Sequence, residues 1–289
     1  MSDKATFVSF LLDETGSMEP IKDDTIGGFN EYVKTLGEDG ADILFSLVSF
    51  NSSETRRRYV AEPIEKVAPL TAADYVPRAM TPLIDAAIKI IKATDEAVRK
   101  RADQPNVVVV MQTDGQENVS VEYTSTDLAA LVKEKEAAGW QFVFLGAGLD
   151  AFAAARRAGV DIPMDHVISY SRERSRQVFA STAKNVREFA DSGSVSALGY
   201  SPAQREDAGD EHAQRYLGGR SGRTDPGGRS GTKRGSGSTR GSGSKHDRSG
   251  HSERDASPRG GAGSDSKSSS GRRAVEDART STAEDYELS

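Results

Sequence analysis

Asp13, Thr15 and Ser17 place three oxygen-bearing side chains at alternate positions just after the apolar run Phe7–Leu12. A short continuous apolar run of this kind predicts a strand buried on both faces. In open parallel sheets, ligands bind just past the carboxyl ends of such strands. One acid and two hydroxyls form an oxygen-only donor set, which suits a hard divalent cation such as magnesium. Two distant stretches offer matching oxygens: Thr81 in Met80–Asp85, and Asp114 at the end of Val107–Asn118. Each stretch alone is weak, because an Asp/Thr/Ser run after a strand commonly caps the next helix. Magnesium takes six oxygens at ~2.0–2.1 Å and keeps several waters. The hydroxyls of Thr15, Ser17 and Thr81 can bind such an ion directly, with the carboxylates of Asp13 and Asp114 holding its waters. Two acids on a dication leave a nearly neutral cluster with an open position that favours an incoming carboxylate.

Together, Asp13-x-Thr15-x-Ser17, Thr81 and Thr113-Asp114-Gly115 resemble the metal-ion-dependent adhesion site of von Willebrand factor type A domains. The middle hydroxyl is Thr15 where many family members carry Ser; the hydroxyl is retained, so the site is expected to persist. The resemblance implies direct or near-direct metal contacts from Thr15, Ser17 and Thr81, with Asp13 and Asp114 acting largely through water. It implies a magnesium or manganese ion whose shell is completed by a Glu or Asp of a protein partner. It therefore implies a binding module and not an enzyme. Phe142–Ala151 and Ala158-Gly-Val160 are similar to a bacterial or phage branch of the family. Cytoplasmic relatives there often act as assembly factors or as adaptors for ring ATPases and metal-handling complexes.

Residues around the motifs read as follows. Glu14 alternates away from its neighbours and reads as a solvated acid, or else as a tuner of partner choice. Gly16 permits the tight turn between ligands. Asp85 reads either as a helix-face acid or as a hydrogen-bond partner of the metal ligands. Gly115, Glu117 and Asn118 surround the third stretch, and Asn118 can hydrogen-bond its backbone. Arg56-Arg57-Arg58 reads as a solvated edge, Trp140 as packing at the start of a strand, and Asp23-Asp24 as an acidic first helical turn.

Alternating elements must position these residues. Strands are predicted at Phe7–Leu12, Ile43–Ser49, Arg56–Val60 (an edge), Val107–Met111, Gln141–Leu145 and His166–Ser169. Helices are predicted at about Pro20–Leu36, Pro82–Lys100, Thr126–Ala138 closed by Gly139, Asp150–Ala158 and Arg174–Ala190. This order implies an α/β fold: a doubly wound, mostly parallel sheet with helices on both faces, which is also the von Willebrand A architecture. The domain is expected over residues 5–192, with 193–217 a linker or C-terminal extension.

From about Gly218 the composition becomes Gly, Ser and Arg rich, with no large apolar residue before Gly271. Ordering a backbone costs ~1–2 kcal/mol per residue. Such a segment cannot offset that by burial, so 218–289 is expected to be a disordered tail. Arg/Gly/Ser-rich sequence can also follow a shifted reading frame in GC-rich DNA. Residues 201–289 hold 16 basic and 14 acidic side chains, while the first 200 hold 22 and 30, a net of −8. The globular part is thus acidic, which disfavours nucleic acid as its ligand. Nucleic acid remains a partner only for the basic tail, whose Arg-Gly pairs lack interleaved aromatics. The 289 residues include no Cys, which removes disulfides and thiolate metal sites and fits a reducing, cytoplasmic setting. The N-terminal apolar run Phe7–Leu12 is too short for a signal peptide or a membrane span, so neither is expected there. The rival reading is an aspartate-based phosphoryl-transfer enzyme with Asp13 as nucleophile. It requires a second Asp two residues on, where this chain has Thr15.

Overall fold

The structure is a computed structural model; it describes residues 4–38 and 42–218. Six strands form one sheet in the order β3-β2-β1-β4-β5-β6. They are β1 (Thr6–Asp13), β2 (Ile43–Phe50), β3 (Thr55–Pro63), β4 (Asn106–Thr113), β5 (Gln141–Ala147) and β6 (Val167–Tyr170). Every pairing is parallel except β2 with β3. β1 and β4 sit at the centre, and all eight residues of β1 are buried. The edge strand β3 keeps the polar, partly exposed pattern expected of an edge.

Among the described residues seven helices cover the sheet: α1 (Lys22–Leu36), α2 (Leu83–Arg99), α3 (Ser125–Ala137), α4 (Ala151–Ala158), α5 (Ser175–Ser192), α6 (Pro202–Ala208) and α7 (Ala213–Leu217). The period-2 pleat of β1 divides its side chains between two cores. Val8, Phe10 and Leu12 pack with α1 and α5 on one face. Phe7 and Leu11 pack with α2, α3 and α4 on the other. Phe10 lies 5.0 Å from Tyr32 and 5.8 Å from both Phe29 and Phe179, measured between ring centroids. Each such fully buried ring contributes ~1.5–3 kcal/mol by leaving water. The doubly wound, mostly parallel architecture predicted from the element order is the one observed.

One local expectation changes, and two stretches gain detail. The first helix does not start at Pro20: Gly16–Ile21 is a 3-10 segment containing Pro20, and α1 begins at Lys22. Residues 193–217, expected as a linker or a C-terminal extension, carry α6 and α7. Ser201 and Gln204 form a capping box for α6, and Leu198, Tyr200 and Ala208 enter the α1–α5 core. Ala213 joins the opposite core, and Tyr216 stacks on Phe152 at 4.6 Å. The segment between β3 and α2 also contributes Val67, Leu70 and Tyr75 to the core. The tail expected from Gly218 onward lies, from residue 219, outside the described residues. Among the described residues no helix is long and apolar enough to cross a membrane.

Candidate metal centre

Parallel register brings the carboxyl ends of the strands level. Leu12 of β1 pairs with Gln112 of β4, so Asp13 and Thr113 emerge side by side. Thr113 pairs with Gly146 on β5, and Ala147 pairs with Tyr170 on β6. Residues just past these positions therefore share one end of the sheet.

Asp13 is fully buried there. One carboxylate oxygen accepts the Thr15 backbone N–H at 2.8 Å, and the other accepts the Thr113 hydroxyl. The Tyr75 hydroxyl donates to the Asp13 carbonyl at 2.5 Å, which ties the end of β1 to the loop ahead of α2. Asp114 Oδ1 accepts the Ser17 hydroxyl at 2.6 Å, and Thr15 Oγ1 lies 3.1 Å from Ser17 Oγ. Ser17 is exposed while Thr15, Thr81, Asp13 and Asp114 are buried, so Ser17 marks the mouth of the cluster.

Thr81 completes the ring of oxygens. A Cβ built on Gly115 would stand 2.9 Å from Thr81 Oγ1 and 3.6 Å from Ser17 Oγ. Only glycine leaves the space between these two hydroxyls open at that point. Thr81 is held by Asn118, whose side chain accepts the Thr81 N–H at 3.1 Å and whose N–H donates to the Thr81 carbonyl at 3.3 Å. The five residues singled out from the sequence, Asp13, Thr15, Ser17, Thr81 and Asp114, thus converge on one cradle, and Asn118 bonds the backbone of Thr81 instead of that of its own loop.

The electrostatics of the cradle favour a cation. Burial pushes the Asp13 carboxyl up to about 7; the Thr113 and Thr15 hydrogen bonds oppose this, and the Asp114 charge adds to it. Burial also raises Asp114, against the Ser17 hydrogen bond and the Arg172 charge. Two desolvated acids in contact with hydroxyls are costly to ionise alone, and a dication removes that cost. Among the described residues no group of three or more His, Cys, Asp or Glu could hold a metal. The donor set instead fits an ion that accepts neutral hydroxyl oxygens and water.

The neighbouring residues depart from their simplest readings. Glu14 is not a solvated acid: it is 1% exposed. Its Oε1 accepts from Arg56 Nη2 and from the Val76 N–H, both at 2.6 Å, with Arg58 at 3.6 Å. Arg56 and Arg58 are therefore not a solvated edge; alternation along β3 puts both beside this buried carboxylate. Asp85 neither faces solvent nor reaches the candidate ligands. It accepts the N–H groups of Val121, Glu122 and Tyr123, and so anchors the loop after β4 to the start of α2. Glu117 does the same in reverse, accepting from Ile84 of α2 and from Val119 and Ser120. Trp140 is buried at the start of β5, as expected.

Sequence reasoning missed Tyr75 and Arg172. Arg172 Nη2 lies 3.2 Å from Asp114 Oδ2. Its signal was positional, since it follows the carboxyl end of the last parallel strand by two residues.

No family model and no curated protein matches the sequence. Solved structures do resemble this one. The von Willebrand domain of the type V pilus tip protein Mfa5 from Porphyromonas gingivalis superposes with a TM-score of 0.50 at 11% identity, over 68% of this chain and 99% of that one. The pilus adhesin SpaC from Lactobacillus rhamnosus GG superposes at 0.51 and 12% identity, over 64% of this chain and 31% of the adhesin. For proximal thread matrix protein 1 from the mussel byssus the values are 0.47 and 13%, over 63% of this chain and 48% of that protein. The chain thus spans about half the length of the byssus protein and a third of the adhesin. Its fold is that of von Willebrand factor type A domains.

Proposed function

We propose that the chain is a divalent-metal-dependent protein-binding module, holding magnesium or manganese through Asp13, Thr15, Ser17, Thr81 and Asp114. The observation that carries this reading is the Gly115 cradle, where hydroxyls from two separate loops approach one point beside two buried acids. Thr15, Ser17 and Thr81 would hold the ion, and Asp13 and Asp114 would orient its waters. The bound ion supplies positive charge and a free coordination position, which a Glu or Asp of a protein partner fills. The chain's own part is to hold the ring open at Gly115 and to fix Thr81 through Asn118. This reading takes a reducing, cytoplasmic setting from the cysteine-free sequence, and a bacterial or phage source from the likeness at Phe142–Ala151 and Ala158-Gly-Val160.

Phosphoryl transfer from Asp13 is not favoured. Both Asp13 oxygens are engaged, and Thr15, the residue placed to act as acid or base, points its N–H and not an acid at the carboxylate.

Calorimetric titration of the full chain with magnesium and with manganese tests the proposal. One bound ion is expected, and Asp13→Ala and Thr81→Ala should each lose it while remaining folded. An acidic peptide should then bind in magnesium and not in chelator. Equal metal affinity in wild type and Asp13→Ala would refute the assignment.

A further inference from the structure

Arg172 begins the 3-10 segment that follows β6, and its side chain reaches back across the end of the sheet to Asp114. Two features show that this reach is built in. Gly148, at φ +64° after β5, lets the arginine lie against its backbone. A Cβ there would stand 3.0 Å from Arg172 Nε and 3.3 Å from its Cγ. The Asp114 side chain is completely buried, while that of Arg172 is 42% exposed, so the cation approaches from the solvent side of a buried acid. The contact is also incomplete. A single Nη2 bond of 3.2 Å joins the pair, and Arg172 Nε is buried with no hydrogen-bond partner. A guanidinium committed to a permanent carboxylate partner usually makes two parallel, shorter bonds. This one is held loosely enough to be exchanged.

Asp114 therefore faces two claimants. Its Oδ1 accepts from Ser17, on the side of the candidate ion, and its Oδ2 faces Arg172. A fixed positive charge on one oxygen reduces what the other can offer a dication, and it adds direct repulsion between cations. We propose that Arg172 is an internal counter-ion that competes with the divalent ion for Asp114, setting metal affinity below what the oxygen ring alone would give. The inference rests on the metal-binding reading above and names a regulation of that site. In the ion-free state Arg172 neutralises Asp114 and limits the cost of a buried unpaired acid. On binding, that compensation is given up, so affinity falls by the worth of the contact.

The test is manganese and magnesium titration of the full chain as wild type, Arg172→Gln and Arg172→Lys, with thermal unfolding in chelator alongside. A charge-assisted hydrogen bond is worth ~1.5 kcal/mol or more, so Arg172→Gln should tighten metal binding by about tenfold. It should also unfold at lower temperature in chelator, with the difference closing at saturating metal. Arg172→Lys, which keeps the charge, should stay near wild type. If Arg172 merely positioned Asp114, the glutamine variant would bind metal more weakly, and that result overturns the proposal, as does an unchanged affinity. A wild type that binds no divalent ion would remove the metal-binding reading itself, an outcome distinct from failure of the Arg172 assignment alone.

Discussion

Two acidic clusters lie side by side at the carboxyl end of the sheet, and they are built from opposite kinds of donor. Around Asp85 and Glu117, backbone N–H groups dominate: Val121, Glu122 and Tyr123 on one acid, Ile84, Val119 and Ser120 on the other. Around Asp13 and Asp114, hydroxyls supply half of the donors: Thr113 on one and Ser17 on the other, beside the Thr15 N–H and the Arg172 guanidinium, with the Thr15 and Thr81 hydroxyls adjacent. A backbone N–H can only donate. A hydroxyl can turn its proton away and present a lone pair. The first cluster is therefore committed to holding loops, while on the proposed reading the hydroxyls of the second turn their lone pairs to an ion. Acid count does not separate the two; the share of hydroxyl donors does.

The largest expected effect concerns pH. Asp13 rises from 3.8 in the unfolded chain to about 7 in the fold, so it binds its proton more tightly when folded. Its ionisation cost is absent below about pH 4, grows as pH rises, and is complete above about pH 7. At 1.36 kcal/mol per pH unit this reaches on the order of 4 kcal/mol. Metal-free wild type should thus lose stability relative to Asp13→Asn between pH 4 and pH 7. Denaturant unfolding in chelator across that range measures the difference, and saturating magnesium should remove it. Parallel profiles for the two proteins would show that Asp13 is not strained by burial.

Asp85→Ala should act in the other sense. It strips three N–H groups of their acceptor and should cost ~2 kcal/mol at any pH near neutrality, with or without metal. A stability loss that magnesium repairs would place Asp85 with the metal cluster after all.

Gly115→Ala probes the cradle. The added methyl meets Thr81 Oγ1 at 2.9 Å, so metal affinity should drop by about 10–100-fold, the range seen when ligand-supporting groups are lost. Calorimetry measures the affinity, and circular dichroism should show an intact fold.

The smallest effects come from a matched pair of hydroxyls. Ser120 donates to Glu117 and accepts the Asp85 N–H, so Ser120→Ala should cost ~1 kcal/mol of stability and leave metal affinity alone. Ser17→Ala should weaken metal binding and leave stability nearly unchanged. If the two variants behave alike, donor type is not what divides the clusters.

The sheet, the helices on both faces and the five oxygen-bearing side chains of the candidate site were legible in the amino-acid pattern. Period-2 and period-3.6 patterning reports burial directly, and the ends of β1 and β4 place Asp13 and Asp114, while Thr81 was legible only in combination with them. The roles of the other charged residues were decided only in three dimensions. Glu14 is adjacent to the motif, yet β3 turns Arg56 and Arg58 onto it, a pairing across 42 residues that no local pattern encodes. Asp85 sits four residues after Thr81, but its partners follow β4, and the loop between carries no periodicity. Arg172 meets Asp114 across 58 residues because β6 ends level with β4 and Gly148 leaves room for the side chain. Whether an acid is solvated, clamped or poised for a cation depends on which donors the folded chain turns toward it, and those donors come from distant strands.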